Sequence, residues 1–144
     1  MGLAIAGANL RTLANVVLAG NYNISNSTPA DSPIDGLQIG TASNTPVTGL
    51  NESERQTAGS GYFARIGIVE WAGNGVQCLG GNGYFVLSSF CSNGWRGCQA
   101  AANGSVSAKS SSAIGNGSSG YETEAGGFME ADNSVSCGNN TQGY

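Results

Sequence analysis

The centre of the chain alternates between apolar runs and short turns, and this alternation constrains the fold more than any other feature. Aromatic and β-branched residues are concentrated in residues 62–71, 76–79 and 84–91, and stretches rich in Gly and Asn separate these runs. Such runs joined by Gly/Asn turns are typical of antiparallel β-hairpins. We therefore expect an antiparallel meander over roughly residues 60–92. No internal repeat stands out, so the sequence does not predict a solenoid.

The N-terminal segment is the first apolar stretch, and its pattern fits a short helix near residues 8–19. Leu10, Leu13 and Val17 follow helical spacing, and Gly20 would end a helix. An extended arm is the alternative, because Asn15 weakens the helical pattern. The expected architecture is mainly β. It is an antiparallel meander or sandwich-like single domain over residues 21–144, with extended arms, preceded by an arm or at most one short helix in residues 1–20.

The apolar core expected from this composition is small. Leu, Ile, Val and Phe make up roughly 19% of the 144 residues, while 24 residues are glycine. Glycine raises the entropic cost of ordering the backbone. The C-terminal third, rich in Gly, Ser and Asn, adds little apolar bulk. We therefore expect a homo-oligomer, in which contacts with other subunits supply burial that the isolated chain lacks.

The chain lacks the side chains that most catalytic mechanisms need. It contains no histidine and a single lysine, Lys109. A serine or cysteine nucleophile would therefore have no histidine to activate it. Glu70 beside Trp71 would suit a glycosidase acid, but nothing in the sequence specifies the second carboxylate that this chemistry requires. We expect no enzymatic activity, no catalytic residues, no cofactor and no metal site.

The charge pattern argues against nucleic acid and membranes as partners. Five basic residues stand against nine acidic ones, which gives a net charge of −4, and the basic residues never form a run. Nucleic-acid and anionic-membrane surfaces are recognised by clustered Lys and Arg. No apolar run approaches the length of a membrane-spanning helix.

Four cysteines form an even set without metal-binding spacing. Cys91 and Cys98 flank a short loop rich in turn-forming residues, which would let their thiols meet. A Cys91–Cys98 disulfide, with Cys78–Cys137 as the second bridge, is the simplest pairing. Four buried, reduced thiols are the alternative.

Two regions are candidates for contacts with partners. Trp95 and Arg96 lie next to each other between two cysteines, and both residue types are favoured at the centres of interfaces. A core position for Trp95 is an equally good interpretation. Leu10, Leu13 and Val17 are the candidates in the N-terminal segment. A host-surface glycan is a further candidate partner, at Trp95 or Tyr121.

These observations predict a non-enzymatic structural subunit of a large assembly. The first hypothesis is a virion protein, such as a phage capsid decoration or cement protein, made in the host cytoplasm because the chain begins at a methionine without a secretory signal. Its partners would be copies of itself and other subunits of the particle. The alternative is a secreted extracellular filament or pilus subunit at the cell surface, which the cysteines and the apolar N-terminal segment favour.

Overall fold

The computed structural model describes residues 3–5, 9–20, 35–40, 59–124 and 126–141, and these residues form strands and turns. Fifteen β-strands lie within those ranges, and no helix does. This part of the chain accordingly contains no helix long and apolar enough to span a membrane.

The strands follow one another in groups of three, and each group makes one coil of the chain. The first coil contains β1 (Leu3–Ile5), β2 (Asn9–Ala14) and β3 (Val17–Ala19), and the second contains β4 (Leu37–Gly40), β5 (Ser60–Ala64) and β6 (Gly67–Val69). The third coil contains β7 (Val76–Leu79), β8 (Asn82–Val86) and β9 (Ser89–Cys91). The fourth contains β10 (Cys98–Ala101), β11 (Ser105–Lys109) and β12 (Ser112–Ile114), and the fifth contains β13 (Tyr121–Thr123), β14 (Phe128–Asp132) and β15 (Val135–Cys137).

Equivalent strands of successive coils pair in parallel and produce three five-stranded sheets. The first sheet has the order β1-β4-β7-β10-β13, the second β2-β5-β8-β11-β14 and the third β3-β6-β9-β12-β15. Every pairing between these strands is parallel. The chain is therefore a β-solenoid with three faces.

This architecture contradicts the expected antiparallel meander or sandwich. Residues 60–91 do form strands, but consecutive strands belong to different sheets and do not pair with each other. The Gly/Asn stretches carry the chain around a corner into the next sheet instead of reversing its direction. A repeat is also present, because equivalent residues from β5 onward are 22 or 23 positions apart. The chain therefore forms a solenoid that its sequence did not predict.

The N-terminal segment is extended, and the expected short helix is also wrong. β2 pairs with β5, and β3 pairs with β6, so residues 9–19 continue the sheets formed by the later coils. Asn15, between β2 and β3, has a left-handed backbone with φ of 58°. A residue in that conformation interrupts a right-handed helix. Leu13 is the partner of Phe63 and packs against the core.

Two residues separate the second strand of each coil from the third, and the first of them has a left-handed backbone. Its φ lies between 48° and 58°, and the five residues are Asn15, Arg65, Leu87, Ser110 and Asn133. Asn adopts this conformation at low cost, whereas Arg and Leu adopt it against a steric penalty. Strand pairing on both sides, more than the residue type, therefore imposes this corner.

Asparagine side chains form a ladder inside the corner that follows the third strand of the third, fourth and fifth coils. The backbone N–H of Asn93 donates to Oδ1 of Asn116 at 3.1 Å, and the N–H of Asn116 donates to Oδ1 of Asn139 at 2.9 Å. Nδ2 of Asn116 also donates to the carbonyl oxygen of Phe90 at 3.0 Å. Asn93 and Asn116 are 0% and 1% exposed. The ladder thus satisfies backbone groups that water does not reach.

Trp71 takes the place of asparagine in the second coil. Its backbone N–H donates to Oδ1 of Asn93 at 3.2 Å, and its indole Nε1 donates to the carbonyl oxygen of Leu18 at 2.9 Å. Asn93 makes the equivalent bond to the carbonyl oxygen of Ile68, the strand partner of Leu18, at 3.3 Å. The indole thus replaces the asparagine amide as hydrogen-bond donor while packing against the core.

The core between the sheets contains a row of aromatic rings. Phe63 and Phe85, partners on β5 and β8, stack with ring centroids 4.8 Å apart. Phe90 meets Phe85 edge to face at 5.2 Å, and Tyr121 extends the row at 6.2 Å from Phe90. Ala108 follows Phe85 in the next coil. The rings are therefore concentrated in the second and third coils, and smaller side chains fill the later coils of the second sheet.

Candidate functional site

The outer face of the first sheet carries a dense row of polar side chains. Gln38, Gln77, Gln99 and Glu122 are strand partners across β4, β7, β10 and β13. Oε1 of Gln99 accepts from Nε2 of Gln77 at 2.9 Å, and Nε2 of Gln99 donates to Oε2 of Glu124 at 2.9 Å. Gln99 is only 2% exposed although it points away from the core. Hydrogen bonds between side chains therefore link the third, fourth and fifth coils on this face.

Arg96 joins this row from the corner that precedes β10. Its Nη2 lies 2.7 Å from Oε1 of Glu122, and it also binds Glu124. The hydrogen bond from Arg96 lowers the pKa of the Glu122 carboxyl below its usual value. Arg96 is 8% exposed, so its charge is paired inside the cluster. This arrangement ties the fourth and fifth coils together.

Asp35 and Asn74 extend the same cluster to the second coil. The backbone N–H of Asn74 donates to Oδ1 of Asp35 at 2.7 Å, and Nδ2 of Asn74 donates to Oε1 of Gln99 at 3.2 Å. Burial raises the pKa of the Asp35 carboxyl. No group of three or more His, Cys, Asp or Glu that could hold a metal ion occurs among the residues that the structure describes.

Trp95 lies at the surface beside this cluster. It is 44% exposed, and the Arg96 guanidinium carbon lies 4.2 Å from the centroid of its ring. Arg96 therefore covers one face of the indole. Tyr121, the other residue expected to touch a glycan, is 1% exposed and belongs to the core. A contact between Tyr121 and a glycan is therefore ruled out by burial.

The outer face of the second sheet presents two tyrosines side by side. Tyr62 and Tyr84 are partners on β5 and β8, and they are 42% and 55% exposed. The neighbouring row on the same face contains Ser60, Asn82 and Ser105. The Ser105 hydroxyl donates to Oδ1 of Asn82 at 2.6 Å. This part of the face therefore combines exposed aromatic rings with neutral hydrogen-bonding groups, whereas β11 and β14 carry the exposed charges of Lys109, Glu130 and Asp132.

Sequence reasoning missed this tyrosine pair. The available signal is the tripeptide Gly-Tyr-Phe, which occurs at residues 61–63 and again at residues 83–85. Its spacing of 22 residues equals the spacing of the second and third coils. In both copies the Phe points into the core and the Tyr points outward, since alternate side chains of a strand face opposite sides.

The outer face of the third sheet carries no charged side chain at the strand positions that the structure describes. Its ten outward residues are Val17, Ala19, Gly67, Val69, Ser89, Cys91, Ser112, Ile114, Val135 and Cys137. Val17 and Val135 are 66% and 55% exposed. This face therefore offers an uncharged, partly apolar surface along all five coils.

The four cysteines are free, and the two expected disulfides are absent. Cys91 points outward from the third sheet, whereas Cys98 is buried on the inner side of the first sheet. The other expected pair is separated in the same way, because Cys78 is buried and Cys137 is exposed. Burial raises the pKa of the Cys78 and Cys98 thiols well above the usual range.

The interface candidates in the N-terminal segment divide between two surfaces. Leu10 and Leu13 on β2 are partly buried and pack against the core at one end of the solenoid. Val17 on β3 is exposed on the third sheet. Trp95 and Arg96 lie between the third and fourth coils, so the five candidates do not form one continuous surface.

Comparisons of the chain with protein-family models, with curated proteins and with solved structures gave no match. The function must therefore be inferred from the geometry of the described residues.

Proposed function

We propose that this chain is a non-enzymatic structural subunit of a large assembly in which β-solenoids stack end to end. The observation that supports this proposal most strongly is that both end coils contain apolar side chains that are only partly buried. In the first coil, five apolar residues that pack against the core are only partly buried, namely Leu3, Leu10, Leu13, Val16 and Leu18. Met129 and Ala131 are partly buried in the same way in the fifth coil. Apolar side chains beside edge strands favour pairing with another chain.

The sizes of the end residues support contact between the first coil of one copy and the fifth coil of another. One core row of the second sheet runs from Leu13 through Phe63, Phe85 and Ala108 to Ala131. Continued stacking would place Leu13 of one copy over Ala131 of the next. A large side chain would then pack on a small one, which allows close approach of the backbones.

Charges on the second sheet support the same contact. Arg11 is exposed on β2, beside the irregularity in pairing with β5, at the level of Tyr62. The row that contains Tyr62 continues through Tyr84 and Ser107 to Glu130 on β14. End-to-end stacking in the same register would place Arg11 of one copy next to Glu130 of another. Opposite charges on neighbouring strands stabilise the pairing by roughly 0.2–1 kcal/mol.

The assembly that we propose first is a virion, with the chain as a decoration or cement subunit made in the host cytoplasm. A rod with partly buried apolar side chains at its ends and an uncharged third sheet offers surfaces for contacts with other subunits of the particle. The second candidate is an extracellular filament. It is supported by the difference between the two end surfaces, because a contact between unlike surfaces can repeat without closing.

Sedimentation velocity over a range of protein concentrations tests the end-to-end contact. We expect the 144-residue chain to associate as concentration rises. Arg11→Glu should weaken association, and the exchange of charges in Arg11→Glu/Glu130→Arg should restore it. Arg65→Glu makes the same change in charge at an exposed corner of the second coil and should leave association unchanged. A monomer at every concentration, or equal effects of Arg11→Glu and Arg65→Glu, would contradict the proposal.

Electron microscopy of the native source, with an antibody against the chain, separates the two kinds of assembly. Label on closed particles or tails supports the virion, and label along extended fibres supports the filament. Label on neither would contradict both.

A further inference from the structure

We infer that Tyr62 and Tyr84 form a binding platform for a neutral saccharide chain on the outer face of the second sheet. This function goes beyond the structural role proposed above, and it would let the assembly adhere to a glycan-coated surface.

The geometry of the two tyrosines suits one extended ligand. They are strand partners on β5 and β8, so their Cβ atoms leave the sheet about 5 Å apart and in the same direction. Both rings are substantially exposed, at 42% and 55%. A chain lying across the strands would therefore contact both rings with the same side.

The row on one side of the rings consists of neutral hydrogen-bonding side chains. The row on the other side begins with Ala64 and Val86, and Arg11 lies on β2 at the level of Tyr62. Ser60, Asn82 and Ser105 form the adjacent row on one side, and Ser107 continues the tyrosine row. The hydrogen bond from Ser105 fixes the orientation of the Asn82 amide. Hydroxyl and amide groups both donate and accept hydrogen bonds, as sugar hydroxyls do. Aromatic rings meanwhile offer an apolar face with a polar tip, which matches the apolar face of a sugar ring.

The charges of the chain disfavour nucleic acid, the other common ligand of exposed aromatic rings. A single strand binds to stacked aromatics within a positively charged groove. Here the net charge is −4, and two of the basic residues, Arg96 and Lys109, are paired with carboxylates. Two exposed cations do lie near Tyr62, namely Arg11 on β2 and Arg65 at the corner after β5. They stand apart from each other and do not form a continuous basic groove along the tyrosine row, so a phosphate backbone would not be neutralised there.

The size of the apolar surface disfavours a protein as the occupant. A stable protein interface covers about 800 Å² on each partner and has an apolar centre. The two tyrosines are bordered by Ser60 and Asn82 on one side and by the small apolar side chains of Ala64 and Val86 on the other. The next exposed ring on this sheet, Phe128, lies beyond Ser105. Two rings beside a row of hydroxyl and amide groups fit a narrow polar chain better than a folded partner.

A printed array of neutral and acidic oligosaccharides, probed with the fluorescently labelled chain, tests this inference. We expect binding to neutral oligosaccharides. Tyr62→Ala and Tyr84→Ala should each weaken the affinity for a bound oligosaccharide about tenfold in titration calorimetry. Leu87→Ala is the matched control, because Leu87 is also 55% exposed but lies at the corner beyond β8. It should bind as the unaltered chain does.

Circular dichroism melting of each variant and sedimentation of the same samples distinguish this inference from the structural proposal. The tyrosine variants should fold and associate as the unaltered chain does while losing saccharide binding. The inference fails if the chain binds no saccharide on the array, if it binds acidic ones only, or if binding survives in the Tyr62→Ala/Tyr84→Ala variant.

Discussion

At the scale of the residue, the buried asparagines show how a chain with few large apolar residues stabilises its corners. Asn116 accepts hydrogen bonds from the backbone N–H of Asn93 and from its Nδ2, and it donates to the carbonyl oxygen of Phe90. Each of these groups is buried or partly buried. The asparagine amide supplies both a donor and an acceptor, and an alanine at this position would supply neither.

We expect Asn116→Ala to lower the free energy of unfolding by about 2–4 kcal/mol, because it leaves the buried backbone N–H of Asn93 without its partner and removes the side-chain bond to the carbonyl oxygen of Phe90. Urea denaturation followed by circular dichroism measures this change. Asn140→Ala is the control, since Asn140 is exposed, and its effect should stay within about 0.5 kcal/mol. Equal effects of the two substitutions would show that the ladder does not stabilise the corner.

The buried thiols predict how stability depends on pH. Burial raises the pKa of Cys78 and Cys98, whereas both thiols ionise near pH 8.5 in an unfolded chain. Below about pH 8.5 both states keep these protons, so the contribution to stability is complete. Above that pH the unfolded chain releases protons that the folded chain retains, and the free energy of unfolding should fall as the pH rises. Urea denaturation between about pH 8 and pH 10 measures this fall. The Cys78→Ala/Cys98→Ala variant should show a flatter dependence, and an unchanged slope would refute this assignment.

At the scale of the element, glycine sets how closely successive coils approach at the start of the first sheet. Gly36, Gly75, Gly97 and Gly120 occupy equivalent positions just before β4, β7, β10 and β13. A Cβ on Gly97 would lie 2.6 Å from the carbonyl oxygen of Gly120 and 2.8 Å from Nδ2 of Asn116. Neither neighbour moves easily, because one is backbone and the other belongs to the asparagine ladder.

Gly97→Ala should therefore destabilise the chain by about 1–3 kcal/mol through overpacking. Gly67→Ala is the matched control, since a Cβ there would meet its nearest neighbour at 3.5 Å, an ordinary contact. Thermal denaturation of the two variants measures the difference. If the Gly97→Ala variant melts at the same temperature as the Gly67→Ala variant, a side chain at position 97 does not prevent the close approach of successive coils.

The strands themselves can be predicted from sequence, but their pairing cannot. The Gly-Tyr-Phe runs indicate strands because of their β-branched and aromatic content. Parallel pairing is hidden because Leu3, Leu37 and Val76 are partners at intervals of 34 and 39 residues, whereas the later coils repeat at 22 or 23. The corner residues add no signal, since Arg65 and Leu87 have left-handed backbones that their residue types disfavour.

Surface sites were similarly only partly predictable. Trp95 and Arg96 attract attention by residue type, but sequence does not reveal that Arg96 stacks on the ring and pairs with Glu122. Tyr62 and Tyr84 become a pair only when β5 and β8 are placed side by side. Tyr84 and Tyr121 each directly follow a glycine, yet Tyr121 is buried and Tyr84 is exposed. Exposure depends on which side of the strand faces the core.

At the scale of the whole molecule, the solenoid places different side-chain chemistry on each face and at its ends. The first sheet holds a hydrogen-bonded network that joins the coils, and the second presents the tyrosine pair. The third offers an uncharged surface, and the end coils carry partly buried apolar rows. Each coil contacts mainly the coils next to it, so the free energy of unfolding should be distributed along the rod. It should also depend on whether the apolar side chains of the two end coils are covered by another chain.

The most direct test of this architecture is the set of inter-strand nuclear Overhauser effects in the isotopically labelled chain. Parallel pairing of successive coils predicts backbone contacts between Gln77 and Gln99, and between Gln99 and Glu122. It also predicts contacts between Tyr62 and Tyr84. An antiparallel meander would instead produce contacts between residues 76–79 and 82–86 in reversed order, with none between Gln77 and Gln99. That second pattern would contradict the β-solenoid.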